Sequence, residues 1–394
     1  MLSLRDPIHG FVRADPLEAA LINSEPVQRL RWIRQLGLTY LVFPGAEHSR
    51  FSHALGALEL AGRAYDSLAS KSGGRLPEGP ECRPRRLVRA AALLHDIGHA
   101  PFSHSAEELF EGGIDHEEMT CRLLGLERMV AIFERHGAGI EPRDVIDLIA
   151  GRGDPLLVQI VSGELDVDKM DYLLRDSLFC GVRYGNFDLE RLLDTMVPVQ
   201  DPLSGAWSVG VEEGGVHALE ALIMARYYMF TQVYFTVVSK VLELHLACWL
   251  TSEGWRWPAD PETFLEEDDL RVVSRMRESS DPHAQAVLRR DLRFPLAFET
   301  REHLSRDEKE RFEALLPELE ERFGAGHLLV SNSAKDPHRM ATSRVLVQRE
   351  GGGFEPVAQF SHFLRHLARI DRYRVYARAE LRDAVASALR ERWP

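Results

Sequence analysis

A mainly helical core with small β-hairpins, followed by a smaller α+β C-terminal part, is the fold class that this 394-residue sequence predicts. Three observations point to it. Apolar residues recur at helical spacing through most of the first 250 positions. Stretches that read as hairpins are few and short, and the character of the chain shifts after Trp255. Hydrophobic residues make up 45% and charged residues 28%, so a chain of this length buries a sizeable core without covalent staples.

Residues 17–36 carry apolar positions at Leu17, Ala20, Leu21, Val27, Leu30, Ile33 and Leu36, a helical spacing broken near Pro26. Residues 53–70 read as a helix that stops before the breaker KSGGRLPEGPECRP at 71–84. The apolar run 86–97 reads as a buried helix, and 115–124 and 142–150 as short ones. Residues 156–178 form a longer helix, open to division into two, and 187–197 another. Residues 198–212 read as a hairpin turning at 201–205. Residues 213–250 are helical again. The acidic stretch WRWPADPETFLEEDD then suggests a division into 1–254 and 255–394. Beyond it, 264–276, 282–290 and 306–323 read as helices. Residues 344–360 read as a hairpin across 351–353, 372–378 as a strand and 379–392 as a last helix.

The formal net charge of −13 disfavours a broad grip on nucleic acid, which needs clustered cations facing phosphates. Four cysteines lie far apart with no CxxC pair, as in a reduced, cytoplasmic chain. The start MLSLRDPIHG reaches Asp6 and Pro7 before any apolar run, so no signal peptide is expected. No stretch approaches the roughly 18 apolar residues of a membrane span.

The chemistry concentrates in LLHDIGHAPFSH at 93–104, with His95, Asp96, His99 and His104 in an apolar setting. Six of the sixteen histidines fall between residues 48 and 116, so this density needs a cation or reciprocal partners. Oxygen from Asp with nitrogen from His suits Mg, Mn, Fe, Zn or Ni rather than thiolate-loving ions. Two ligands are too few for a tight site. HSRFSH (48–53), HEE (116–118) and DVDKMDYLLRD (166–176) offer more. Taken alone, the last also reads as a solvated face of i,i+3 and i,i+4 pairs.

The ordered segments DPIHG, QRLRWIRQLG, FPGAEHSRFSHALG, LLHDIGHAPFSH, DHE, DVDKMDYLLRD and RYYMFTQVY, spread over about 4–250, resemble the HD-domain phosphohydrolase superfamily. Within it, the chain is similar to the deoxynucleoside triphosphate triphosphohydrolase branch, to which the human sterile-alpha-motif/HD-domain dNTPase belongs. The resemblance implies a divalent metal (Mg, Mn, Fe, Co, Ni or Zn) held by His53, His95, Asp96 and Asp168. It implies catalytic roles for His99, His104, His116 and Glu117, with Glu107 and Glu117 orienting the histidines. It implies substrate contacts from Gln35, Leu36, Arg50, Lys169, Tyr172, Asp176, Arg226 and Tyr234. Arg50 and Lys169 would face phosphates, Tyr172 and Asp176 the sugar, and Leu36 with Tyr234 the place of a 2′ hydroxyl.

The implied reaction takes a dNTP to deoxynucleoside and inorganic triphosphate. An HD-type hydrolase of another nucleotide, or a nucleotide sensor without turnover, shares the same motifs. Two departures bear on the choice. Phe235, Thr236 and Val237 stand where relatives carry polar and basic residues after the tyrosine. Asn23 stands where relatives use an acidic residue to read a guanine activator, while Gln28 and Arg31 are retained. A nucleotide activator and a homo-oligomer, dimer or tetramer, are the further partners expected.

Overall fold

In a computed structural model, residues 2–102, 108–201, 205–335 and 345–393 are described. Nineteen α-helices and nine strands run through these residues, with helices predominating. The chain opens with an antiparallel hairpin, β1 (Leu2–Asp6) and β2 (Gly10–Ala14). Asp15 then caps α1 (Pro16–Ile22) in a reciprocal box with Glu18, and α2 (Glu25–Arg29) follows. The helical spacing at 17–36 is thus broken where expected, at Asn23 and Ser24 just before Pro26.

The core helices are α3 (Arg50–Ser70) and α4 (Arg83–Leu94), which pack on each other. Ala54, Ala57, Ala61 and Ala64 of the first and Ala90 and Ala91 of the second are fully buried, small side chains of the kind that let helix backbones approach closely. Around them lie α5 (His116–Leu124), α6 (Glu127–His136), α7 (Pro142–Ile149) and α8 (Pro155–Val161). The 14-residue α9 (Val167–Cys180) packs against α3 and ends on Gly181 at φ 71°, a left-handed cap that glycine adopts without strain. The apolar run 156–178 is therefore two helices, separated where Asp166 caps the second.

After α10 (Leu189–Thr195) comes the antiparallel pair β3 (Met196–Gln200) and β4 (Trp207–Glu212). Helices α11 (Val216–Met229) and α12 (Val237–Ser252) follow, joined through a π-turn at Phe230–Tyr234. The apolar run across this join is bent by 63°, and no single helix among the described residues is long and apolar enough to cross a membrane.

Short helices α13 (Pro261–Phe264), α14 (Asp269–Glu278) and α15 (Pro282–Arg289) lead to β5 (Leu296–Glu299), α16 (Arg306–Phe323) and β6 (Leu328–Lys335). A further hairpin, β7 (Leu346–Gln348) and β8 (Phe354–Pro356), is followed by α17 (Val357–Phe360), α18 (His362–His366), β9 (Ile370–Ala377) and α19 (Arg382–Arg392). Strand β7 pairs in parallel with β4, Val211 opposite Val347, giving the mixed sheet β3-β4-β7-β8. A separate antiparallel sheet, β5-β9-β6, packs Tyr373 and Val375 on Phe312 of α16 and on Val385 and Leu389 of α19.

Candidate metal centre and active-site cleft

Three helix ends converge. Arg50 and His53 lie one turn apart at the start of α3, His95 closes α4, and Asp168 lies in the first turn of α9. An anion is favoured in a first helical turn. Beyond His95 the chain turns through Asp96 and Gly98. A Cβ on Gly98 would sit 2.1 Å from the His116 carbonyl and 2.5 Å from the Thr120 amide. The bare backbone lets α5 press on the turn, with Gly98 donating its amide to Thr120 at 3.1 Å. That contact brings His116 beside His99, their rings stacked 4.2 Å apart.

Ligand atoms of His53, His95 and Asp168 all lie within 4.8 Å of one another. Asp168 Oδ1 is 3.1 Å from His53 Nε2 and 3.6 Å from His95 Nε2. Asp96 lies 3.2 Å from His95 Nε2 and 3.7 Å from His53 Nε2, while Arg50 donates to it at 2.5 Å and His99 sits 3.3 Å away. His53 Nδ1 donates to Asp171 at 2.8 Å, and His95 Nδ1 to the Ala92 carbonyl at 2.8 Å. Both Nδ1 hydrogens are thereby committed, so Nε2 is the titrating nitrogen on each ring. Both Nε2 atoms are buried without a hydrogen-bond partner among the described residues. Buried imidazole nitrogens left unpaired beside carboxylate oxygens are what a divalent cation satisfies, and the donor set fits one.

Without an ion, the charges answer one another. Burial works against protonation of His53, but its contacts with Asp168 and Asp171 outweigh it and push the imidazole up to about 10. Burial likewise opposes the Asp168 charge, and His53 and His95 still hold the carboxyl below its ordinary range. Asp96 is held well below its own range, against burial, by His95, Arg50 and His99. Burial, then Arg50, depress His99 well below the ordinary imidazole range despite Asp96, so this ring is neutral at neutral pH.

A cavity of about 600 Å³ opens from this cluster. His95, Asp96, His99, His116, Glu117 and Asp168 line one side, and His53 lies fully buried behind them. Gln35, Leu36, Arg50, Lys169, Tyr172, Asp176, Arg226 and Tyr234 line the rest. All eight expected substrate contacts thus share one cavity with the histidine–aspartate cluster. His104 and Glu107 lie outside the described residues. The π-turn aims Tyr234 at Asp176, to which its hydroxyl donates at 2.6 Å, and His48 engages the other oxygen at 2.8 Å. Lys169 reaches the Gly163 carbonyl at 2.7 Å and pairs with Asp166. Phe235 lines the cavity too, whereas Thr236 caps α12. Asn23, Gln28 and Arg31 are not among the cavity's lining residues. Asn23 bonds the Ala19 carbonyl, Gln28 the Ile22 carbonyl, and Arg31 bonds Gln28 and stacks 3.6 Å above Phe51.

Residue-by-residue reading missed the group behind the cluster. Asp171, fully buried, accepts from His53, from His9 at 2.7 Å and from Arg175 at 2.8 and 2.9 Å, and Arg175 also reaches Asp6 at 2.9 Å. The i,i+4 spacing of Asp171 and Arg175 was visible, but such a pair also describes a solvated face. A Cβ on Gly56 would fall 1.8 Å from an Asp171 oxygen, which makes that position glycine.

Family comparison agrees with this geometry. A family model for the HD domain matches residues 50–176, and one for the HD associated region matches residues 187–392. The uncharacterized protein YwfO of Bacillus subtilis is 42% identical over 269 residues, 66% of this chain and 59% of that protein. A protein named as the deoxynucleoside triphosphate triphosphohydrolase SAMHD1 homolog of Dictyostelium discoideum is 31% identical over 304 residues, 72% of this chain and 56% of its own. The matched region thus spans under three-fifths of the length of these curated relatives. The crystal structure of a hypothetical protein from Aquifex aeolicus matches with a TM-score of 0.81 at 30% identity, covering 98% of this chain and 99% of that one. The chain belongs to the HD-domain phosphohydrolase family and carries its HD-associated region.

Proposed function

We propose that the protein is a metal-dependent phosphohydrolase that cleaves dNTPs to deoxynucleoside and inorganic triphosphate. The carrying observation is one juxtaposition. The Nε2 atoms of His53 and His95, unpaired among the described residues, stand beside Asp168 at a cavity that Arg50, Lys169 and Arg226 also line. His53, His95, Asp96 and Asp168 would hold a divalent ion. Such an ion supplies Lewis-acid polarisation of a phosphoryl oxygen and lowers the pKa of water.

The chain's own residues do the rest. Arg50, Lys169 and Arg226 offset the roughly four negative charges of a triphosphate. Asp176, clamped by His48 and Tyr234, takes the 3′ hydroxyl, and Tyr172 closes over the sugar. Leu36 and Tyr234 crowd the place of a 2′ hydroxyl. Water adds to the α-phosphorus as the bond to the 5′ oxygen breaks. Neutral His99 and the His116 ring stacked on it are the groups placed to accept the water's proton and to return one to the departing oxygen. Phe235 favours a second reading, an HD hydrolase for a different nucleotide, because it gives the cavity wall an apolar ring.

Product chromatography after incubation with each dNTP and NTP, with Mg, Mn, Co or Fe and with or without GTP or dATP, tests the proposal. Release of triphosphate from dNTPs is the expected result. Stepwise orthophosphate, or products from ribonucleotides alone, would overturn it.

A further inference from the structure

A second cavity, of about 770 Å³, adjoins the first. The two share Ser162, Lys169, Arg226, Ala334 and Lys335, so they meet at a wall of three cations. The second adds Arg369 and one acid, Glu164. Lys169 comes from α9 in the HD domain, whereas Arg226, Lys335 and Arg369 come from the HD-associated region. Lys335 ends β6 opposite Ile370 of β9, which places it at the same end of that ladder as Arg369. Arg369 makes a loose ionic contact, 3.8 Å from Asp371, and Lys335 lies 5.4 Å from the Phe230 ring. Among the described residues no aromatic side chain lines the second cavity, so they offer a nucleobase no ring to stack on. Four cations, facing Glu164 in the cavity and Asp166 and Asp371 beside it, leave an excess of positive charge that suits a flexible anionic chain.

We propose that this annex binds a linear polyphosphate: the tail of the nucleotide beyond its metal-proximal phosphate, and the same chain after its release. The proposal rests on the nucleotide reading above and extends it. Lys335 and Arg369 become positioning residues for the phosphate tail, contributed from the far end of the chain. A volume within the small-ligand range of roughly 300–1,000 Å³ leaves room for that chain and its water.

Calorimetric titration of inorganic tripolyphosphate into metal-stripped protein separates this site from the metal cluster. Lys335→Ala and Arg369→Ala are each expected to weaken binding about tenfold, the size of one charge-assisted contact. Glu164→Gln is expected to tighten it, and Arg306→Ala, on the remote helix α16, to leave it unchanged. Binding that stays within twofold in both cation variants overturns the annex. A protein that binds tripolyphosphate through Arg369 but turns over no dNTP supports the annex and refutes the substrate reading. A dNTP hydrolase whose tripolyphosphate binding ignores both residues does the reverse.

Discussion

Asp171→Asn is the substitution that most directly tests how the metal centre is held. The carboxylate accepts four hydrogen bonds, from His53, His9 and twice from Arg175, and every side chain involved is at most 1% exposed. An amide has one accepting oxygen, so its NH2 must face donors. Removing one partner of a buried ion pair costs about 3–5 kcal/mol, and the lower end applies because Arg175 keeps Asp6. The same change frees the His53 ring from the acceptor that commits its Nδ1 hydrogen. Loss of such an outer partner typically weakens metal binding about 10–100-fold. Competition between the protein and a fluorescent chelator for Mn2+ reads the second effect, and thermal unfolding in EDTA reads the first. Mn2+ affinity within twofold of the parent, in a folded Asp171→Asn protein, would refute the argument that this carboxylate orients His53.

Three further outcomes are expected. His95→Ala and Asp168→Ala each abolish turnover and lower bound metal by elemental analysis; full metal content with full activity would contradict their role. Metal uptake releases more than one proton at pH 7, because metal-free His53, pushed up to about 10, is protonated there and His95, against burial, is also pushed up by Asp96 and Asp168. Metal affinity therefore rises with pH below 10, and calorimetry in buffers of differing ionisation enthalpy counts the protons. His245, packed against His283 with their Nδ1 atoms 2.8 Å apart, is lowered to about 4, first by burial and then by His283. Its folded value lies below the ordinary 6.5, so its stabilising contribution is present above 6.5 and is lost as pH falls toward 4. The loss is about 3 kcal/mol, and His245→Phe should flatten urea midpoints measured across that window.

Periodicity made the helical character and most helix positions legible, because a buried stripe at helical spacing leaves a direct trace in the sequence. The divided run at 156–178 and the 344–360 hairpin were visible through turn and capping residues. Helix α6 and strand β6 were not, since LERMVAIFERHG and LLVSNSAK carry short patterns that suit several conformations. The first hairpin escaped too: Phe11 is 58% exposed and the strands bury little. In the cavity, family resemblance supplied the residues, while residue chemistry alone reached only the histidine–aspartate cluster. The group formed by Asp6, His9, His53, Asp171 and Arg175 joins positions up to 169 residues apart, and no local spacing encodes such a meeting.

The parallel pairing of Val211 and Glu212 with Val347 and Gln348 fixes how this chain can be handled in the laboratory. A fragment cut anywhere between those two strands loses a neighbour along one flank of β4 and bares a row of amides and carbonyls there. Bared flanks of that kind recruit other chains. Excised halves should precipitate or pair with each other, and co-expressing the two pieces is the workable route to a split version of the molecule.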